Sequence, residues 1–357
     1  MERISATIAK IEPLDNDVMN RVQFRLDNLT KPLGSLAALE ERAKQLAGAL
    51  RQEHPPLPQK AIILMAADHG VAAEGVSLYP QEVTEQMIYN FVKGGAAINV
   101  LARHANAELV LVDVGVRANL PADLPIQHRK VAAGTANMRF GPAMSQEQVV
   151  QALHVGLDVA NAVIDKGVQA IALGEMGIGN TTASSAVTSA LTGRAPHDVV
   201  GFGTGISSKM LMHKIKVVEE AIAVNRPDPN NVYDVLAKVG GLEIAALTGV
   251  ILAAAARRVL VVLDGFISST AALAAYRLTN RVQPYLVAAH LSAEPGHKVI
   301  LEHLNLKPML KLSMRLGEGT GAALGLTLVD AGVKVLNEMA TFDEARVAYA
   351  LQDLPVT

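Results

Sequence analysis

The feature that most restricts the fold of this chain is a recurring unit: a short apolar run, then Asp, His or Gly, then a stretch with helical periodicity. It recurs at Ala61–Ala67 before Asp68-His69-Gly70, at Glu108–Val112 before Asp113-Val114-Gly115, and at Val168–Leu173 before Gly174. Two more units are Val259–Leu263 before Asp264-Gly265 and Tyr285–Ala289 before His290. Apolar runs without polar alternation must be covered on both faces, and helix-length spacers supply that cover. The pattern therefore predicts an α/β fold, a doubly wound parallel sheet with helices on both faces. In such a fold ligands bind beyond the carboxyl ends of the strands, which is where the Asp, His, Glu and Gly residues fall.

The spacers read as helices in detail. Over Ser145–Lys166, Ser145 and Gln148 form a capping-box pair, Val149, Leu153, Val159 and Val163 fall near one face, and Gly167 ends the helix. Ile244–Ala256, bounded by Glu243 and Arg257, is apolar all round but shorter than the ~20 residues that cross a bilayer. It reads as a buried helix. Residues 1–58 form a helical N-terminal arm, with a turn at Thr30–Ser35 whose Ser35 can cap a helix from Leu36. The prolines of Glu53–Pro58 make a linker. Residues 59–330 form the large α/β domain and 331–357 the C-terminal helices, with a helical stretch over Gly321–Met339 and a last short helix over Thr341–Leu351 beside the arm.

Composition narrows the function. Half of the 357 residues are hydrophobic, 28 are Gly, and the aromatics are six Tyr and six Phe, so the core is built from Ala, Val, Leu and Ile. Thirty-two basic residues against 34 acidic ones give a net charge of −2, without the single-sign field that nucleic acid or an anionic membrane requires. The absence of cysteine removes disulfides, thiolate nucleophiles and zinc–thiolate sites, and it fits a reducing compartment. The opening residues lack a basic region followed by an apolar one, so a cytoplasmic protein without a signal peptide is expected.

Three glycine-rich segments carry the chemistry. In Gly174-Glu175-Met176-Gly177-Ile178-Gly179-Asn180-Thr181-Thr182, Gly174, Gly179 and Thr181 fit the phosphate-loop pattern G-x-x-x-x-G-K-[ST], but Asn180 occupies the lysine position. Converging backbone N–H groups and a helix N-terminus can still cradle an anion, and one phosphate fits better than three. A tight turn without ligand is the alternative. The second segment, Gly201-Phe202-Gly203-Thr204-Gly205-Ile206-Ser207-Ser208-Lys209, is followed by Lys214, so either lysine could supply the charge that Asn180 does not. A loop entering a helix from Ser207, with solvated lysines, is the other reading. The third, Arg315-Leu316-Gly317-Glu318-Gly319-Thr320-Gly321, holds a carboxylate between glycines. A Glu kept from water has a raised pKa suited to proton transfer near neutral pH, although a Glu in a helix-leading turn has the same residue types.

The remaining polar residues at strand ends are Asp68-His69, Asp264, His290, Ser292, Glu294 and His297. Without an HExxH, an EF-hand loop or an i, i+4 His pair, structural or substrate-binding roles outweigh metal ligation. No G-x-S-x-G elbow occurs, and G-x-G-x-x-G fails at the two central loops because Thr182 and Ser208 stand where a third glycine would. The residues alone also admit a nucleoside-triphosphate-dependent kinase or synthetase, against which Asn180 argues, or a non-catalytic nucleotide sensor.

Taken together the motifs resemble those of the nicotinate-nucleotide:dimethylbenzimidazole phosphoribosyltransferases, over nearly the whole chain. They are Thr30-Lys31-Pro32-Leu33-Gly34-Ser35-Leu36, Ala67-Asp68-His69-Gly70-Val71, Tyr79-Pro80-Gln81-Glu82-Val83-Thr84 and the first and third glycine-rich segments. Gly241-Leu242-Glu243-Ile244-Ala245-Ala246, Leu263-Asp264-Gly265-Phe266-Ile267-Ser268 and Ser292-Ala293-Glu294-Pro295-Gly296-His297 complete the set. The resemblance implies a Rossmann-like large domain, a small helical domain made from both chain ends, and a homodimer with active sites near its interface. It implies transfer of a phosphoribosyl group from nicotinate mononucleotide to dimethylbenzimidazole, giving α-ribazole 5′-phosphate with inversion at C1′, a step in cobalamin nucleotide-loop assembly. Glu318 would be the general base and Glu175 would lie near the ribose. Gly177, Gly179, Asn180, Gly203, Thr204, Gly205, Lys214, Asp264 and Ser292 would hold phosphate and ribose. Ser77, Tyr79, Gln86, Met176, Leu316 and Gly317 would form the base pocket. The pyridinium is already an activated leaving group, so neither cofactor nor metal is expected.

Overall fold

A computed structural model describes residues 1–348. In chain order the elements begin with α1 (Glu2–Ala9), α2 (Asn16–Asn28), α3 (Ala38–Leu50), β1 (Lys60–Ala67), α4 (Val83–Val92), α5 (Ala97–His104), β2 (Glu108–Gly115) and β3 (Gln127–His128). There follow α6 (Gln146–Ile164), β4 (Ala170–Met176), α7 (Asn180–Thr192), α8 (Pro196–Val199), α9 (Ser208–Asn225), α10 (Val232–Val239) and α11 (Leu242–Ala256). The last are β5 (Leu260–Leu263), α12 (Phe266–Leu278), β6 (Leu286–Ala288), α13 (Pro295–His303), α14 (Thr320–Glu338) and α15 (Phe342–Ala345). Of the helix expected over Thr341–Leu351, only Phe342–Ala345 is helical among the described residues, where a left-handed Arg346 ends it, and positions 349–351 lie outside them.

The strands form one parallel sheet in the order β3-β2-β1-β4-β5-β6. This is the doubly wound, Rossmann-like order, and its direction reverses between β1 and β4, where a crevice opens at the carboxyl ends. β1 is buried along its whole length, as a central strand covered on both faces must be. The five expected strands are present, with β2 extending to Gly115 and β4 running from Ala170 past Gly174 to Met176. β3 was not foreseen, because two polar residues at an edge leave no apolar run to read.

The chain divides into two compact units: Met1–Pro13 with Gln59–Leu326, and Leu14–Pro58 with the residues from Thr327 onward. Residues 1–13 thus belong to the larger unit rather than with the rest of the expected arm. Tyr285 Oη donates to the Glu12 carbonyl at 2.8 Å and Arg258 to the Pro13 carbonyl at 3.0 Å. The smaller unit has its own core of Val18, Val22, Leu26, Leu29, Ala43, Ala47 and Leu336, and Leu29 bridges Thr341. There the helix after the Thr30–Ser35 turn begins at Ala38, and Ser35 does not cap it. The Glu40 carboxylate, paired with Lys31 at 3.0 Å, reaches back and accepts the Leu36 N–H at 2.9 Å instead.

In the larger unit the Ser145–Gln148 capping box is formed, at 3.2 and 2.9 Å, and Gly167 turns the chain after α6 with φ +99°. α11 is buried from Leu242 to Ala255, and among the described residues no helix is long and apolar enough to cross a membrane. α6 and α11 approach closely because each presents a glycine to the other's backbone. A Cβ on Gly156 would overlap the Ala246 carbonyl and sit 2.8 Å from the Val250 nitrogen, and one on Gly249 would overlap the Leu153 carbonyl. Gly156→Ala should therefore lower the unfolding free energy by roughly 1–3 kcal/mol, read as a lower urea midpoint. Gly141→Ala, where nothing lies within 4 Å of the added carbon, should stay within about 0.5 kcal/mol of the parent.

Candidate active site

A cavity of about 360 Å³ opens over the carboxyl ends of β4, β5 and β6. The first glycine segment enters it in a form the phosphate-loop pattern did not anticipate. Gly174 and Glu175 are strand residues, and the turn is only Gly177-Ile178-Gly179 before α7 starts at Asn180. Gly174 serves close packing: a Cβ there would lie 2.5 Å from the Glu318 carbonyl oxygen. Gly177 passes against the Ala67 carbonyl and Gly179 takes φ +95°. Asn180 and Thr181, in the first turn of α7, line the cavity. The Asn180 amide is already used, since Nδ2 donates to Glu175 Oε2.

Glu175 is buried at the end of β4, where the backbone N–H of Glu318 also donates to its Oε1 at 3.3 Å. Burial, with the negative charges of Asp264, Glu243 and Glu318 nearby, pushes its pKa to about 8. This shift favours the protonated form of Glu175 at neutral pH. A Cβ on Gly317 would press on the Glu175 carboxylate, and its φ of +87° favours glycine as well.

Glu318 sits in three consecutive left-handed residues, with φ of +87°, +62° and +92° at Gly317, Glu318 and Gly319. Gly317 and Gly319 take these angles without strain, but Glu318 has a side chain and does not, and such outliers concentrate at functional sites. Asp264, just after β5, holds the turn. Its Oδ2 accepts the Gly319 N–H at 3.1 Å, and its Oδ1 accepts those of Gly321 at 2.6 Å and Ala322 at 3.1 Å. The Glu318 carboxyl is nearly buried, lines the cavity, and leaves Oε2 without a hydrogen-bond partner among the described residues. Burial raises its pKa, the Ile98 N–H opposes that rise, and the Asp264 charge adds to it.

The second glycine segment forms the opposite wall. Gly203 donates its N–H to Glu294 Oε1 at 2.8 Å, and its carbonyl accepts from Arg315 at 3.3 Å. Thr204 Oγ1 accepts the Leu78 N–H at 3.1 Å and lies 3.5 Å from Ser77 Oγ, tying this wall to the one that carries Ser77 and Tyr79. Lys214 is fully buried and does not line the cavity. Its Nζ donates to Thr181 Oγ1 at 2.8 Å and to the Gly201 carbonyl at 3.4 Å. Burial lowers its pKa to about 8, with Glu294 opposing. Lys209 is exposed on α9.

Of the residues expected at the site, Ser77, Tyr79, Glu175, Met176, Gly177, Gly179, Asn180, Gly203, Thr204, Asp264, Ser292, Leu316, Gly317 and Glu318 line this one cavity. Gly205, Lys214 and Gln86 do not. Gly205 lies beside Arg315 with φ +99°. Gln86 points to solvent from α4, while Val83 and Met87 of that helix face the cavity. The i, i+4 spacing of those two was the signal that would have found them. Thr181, His290, Glu294 and Arg315 also line the cavity. Ser292 is set in place by His297, whose Nδ1 accepts the Ser292 N–H at 3.0 Å while Nε2 meets Ser269 Oγ at 3.0 Å. Burial and neighbouring His290 lower the His297 pKa to about 3, so the ring is neutral. His69 lies under the Gly177 turn, 2.7 Å from Glu243.

Comparison with known proteins matches this geometry to one family. A phosphoribosyltransferase family model covers residues 11–347. The nicotinate-nucleotide–dimethylbenzimidazole phosphoribosyltransferase of Roseiflexus sp. (strain RS-1) is 55% identical over 348 residues, 98% of this chain and 99% of that protein. The protein of the same name from Desulforudis audaxviator (strain MP104C) is 52% identical over 353 residues, 99% of this chain and all of its own length. The crystal structure of CobT from Thermus thermophilus superposes with a TM-score of 0.90 at 45% identity, covering 94% of this chain and 100% of that one. With near-complete coverage in sequence and in three dimensions, this chain belongs to the nicotinate-nucleotide–dimethylbenzimidazole phosphoribosyltransferase family.

Proposed function

We propose that the protein transfers the 5-phosphoribosyl group of nicotinate mononucleotide to 5,6-dimethylbenzimidazole, releasing nicotinate and forming α-ribazole 5′-phosphate. The observation that carries this reading is the pair of buried carboxyls, Glu175 and Glu318, linked by the Glu318 N–H and facing one cavity at the sheet's carboxyl end. Glu318 Oε2 takes the imidazole proton of the base. The nitrogen lone pair so freed forms a bond to C1′ from the face opposite nicotinate, and the C1′–pyridinium bond breaks with its electrons returning to the ring nitrogen. Attack from the opposite face inverts C1′. The leaving group is cationic at the outset and departs neutral at its ring nitrogen, so its departure needs no Lewis acid.

Glu175, placed against the ribose, favours positive charge developing at C1′ once it is ionised. The N-terminus of α7 at Asn180 and Thr181, with Gly177 and Gly179 before it, forms one side of the phosphate site. Gly203 and Thr204 form the other, with Lys214 acting through Thr181 Oγ1. Asp264 and Ser292 hold the backbone around the ribose. Ser77, Tyr79, Met176, Leu316 and Gly317, joined by Val83 and Met87, wall the base pocket. A cytoplasmic homodimer is part of the same proposal, the dimer supported by the exposed apolar side chains of Tyr79 and Leu316, which line the cavity.

The test is Glu318→Gln. Gln keeps the shape but accepts no proton, so turnover should fall by about 10²- to 10⁴-fold while both substrates still bind. Because the Glu318 pKa is raised, the wild-type rate should decline on the acid side at a pH above the ordinary carboxylate range, as the base protonates. That limb should be missing from the residual activity of the variant, whereas near-normal turnover would place the base elsewhere, with Glu175 the first candidate.

Glu175 generates a separate expectation. Its raised pKa favours the protonated form at pH 7, and a bound pyridinium favours the charged one. Binding of nicotinate mononucleotide at pH 7 should therefore release a proton, seen in calorimetry as a heat that varies with the ionisation enthalpy of the buffer. Glu175→Gln should remove that proton, and an unchanged proton count in the variant would refute the assignment.

A further inference from the structure

Among the described residues that line the cavity, four are carboxylic acids, Glu175, Asp264, Glu294 and Glu318, and one is a lysine or arginine, Arg315. A phosphate monoester brought among four carboxyls needs a countercharge that can touch it. Lys214 is badly placed for contact: its Nζ is enclosed and committed to Thr181 Oγ1 and the Gly201 carbonyl. Arg315 is exposed to the cavity, and no carboxylate stands within ion-pairing distance of it among the described residues. It spends one N–H on the Gly203 carbonyl, at 3.3 Å, leaving most of a five-donor fork open.

That one bond also aims the fork. Gly203 lies between Arg315, on its carbonyl, and the α7 N-terminus, since a Cβ on Gly203 would be 3.1 Å from Thr181 Oγ1 and equally far from the Lys214 Nζ bonded to it. A Cβ on the left-handed Gly205 would lie 3.3 Å from Arg315 Nη1, so a larger residue there would crowd the guanidinium. The guanidinium, the N–H groups at the start of α7 and Thr181 therefore border the same small volume. Planar bidentate geometry suits arginine, more than lysine, to a phosphate held there.

Resting on the transferase reading above, we propose that Arg315 is the direct phosphate-binding cation of this site and the residue that selects the 5′-phosphorylated nucleotide over its nucleoside. Arg315 also precedes Glu318 by three residues on the same segment. Phosphate engagement thus fixes one end of the turn that carries the base.

Calorimetric binding of three ligands, without the acceptor base, tests this in wild type, Arg315→Leu and Arg315→Lys: nicotinate mononucleotide, nicotinamide mononucleotide and nicotinate riboside. The wild-type preference for both mononucleotides over the riboside should collapse by roughly 10- to 100-fold in Arg315→Leu, with partial recovery in Arg315→Lys. Thermal unfolding by circular dichroism identifies any variant that fails to fold, and Arg315→Lys then carries the comparison through its smaller drop in preference. Equal loss for mononucleotide and riboside would overturn the proposal and reduce Arg315 to a prop for Gly203. Loss confined to the two nicotinate ligands would overturn it differently, assigning Arg315 to the pyridine carboxylate. Wild-type protein that binds none of the three would refute the transferase reading itself, a separate result.

Discussion

Three backbone N–H groups converge on the Asp264 carboxylate, and the site is built around that contact. Gly319, Gly321 and Ala322 are the last residues of the Glu318 turn and the first of α14, so their N–H groups have no partner within the helix. A carboxylate at a helix N-terminus satisfies them and meets the positive end of the helix dipole. Hydrogen bonds to a charged acceptor contribute about 1.5–3 kcal/mol each. A left-handed Glu costs about 1–3 kcal/mol, so three such bonds are enough to hold Glu318 at φ +62°. The contact joins β5 to the segment bearing the proposed base, and through the Glu318 N–H it reaches Glu175 on β4. The space is tight: a Cβ on Gly321 would lie 2.5 Å from His290 Nε2.

The same grouping sets the electrostatics. Asp264 sits close enough to raise the pKa of both Glu175 and Glu318, and burial is the larger cause in each. A cavity so charged is poorly suited to an anion alone and well suited to a ligand with a cationic ring at one end and a phosphate at the other. Nicotinate mononucleotide has that form. In the proposed reaction its pyridinium favours ionisation of Glu175, which would then stabilise positive charge growing at C1′. Binding energy is thereby directed to the reacting centre rather than to the ground state alone.

The sheet was legible because its strands are covered on both faces and read as uninterrupted apolar runs, while β3, two polar residues at an edge, left no such run. The position of Glu318 at the cavity was legible because the glycines beside it have no other evident use in a surface turn. The first glycine segment was harder. Its spacing matched a phosphate loop, yet Gly174 is a strand residue whose missing side chain admits the Glu318 carbonyl, a long-range contact that local pattern cannot reveal. Lys214 has the charge a phosphate site needs, but nothing in sequence says that Thr181 stands in front of it. Gln86 was one residue out of phase on α4, where the inward face is set by Val83 and Met87. Ser35 lost its capping role to Glu40, whose partner Lys31 comes from before the turn.

The proposed reaction is direct displacement at C1′ by a base that Glu318 deprotonates, with nicotinate leaving from the opposite face. The most direct measurement is the anomeric configuration of the product, read by NMR after incubating the protein with nicotinate mononucleotide and dimethylbenzimidazole. One α-configured ribosyl product per nicotinate released is the predicted result. A β-configured product, or nicotinate release that does not depend on the added base, would contradict it.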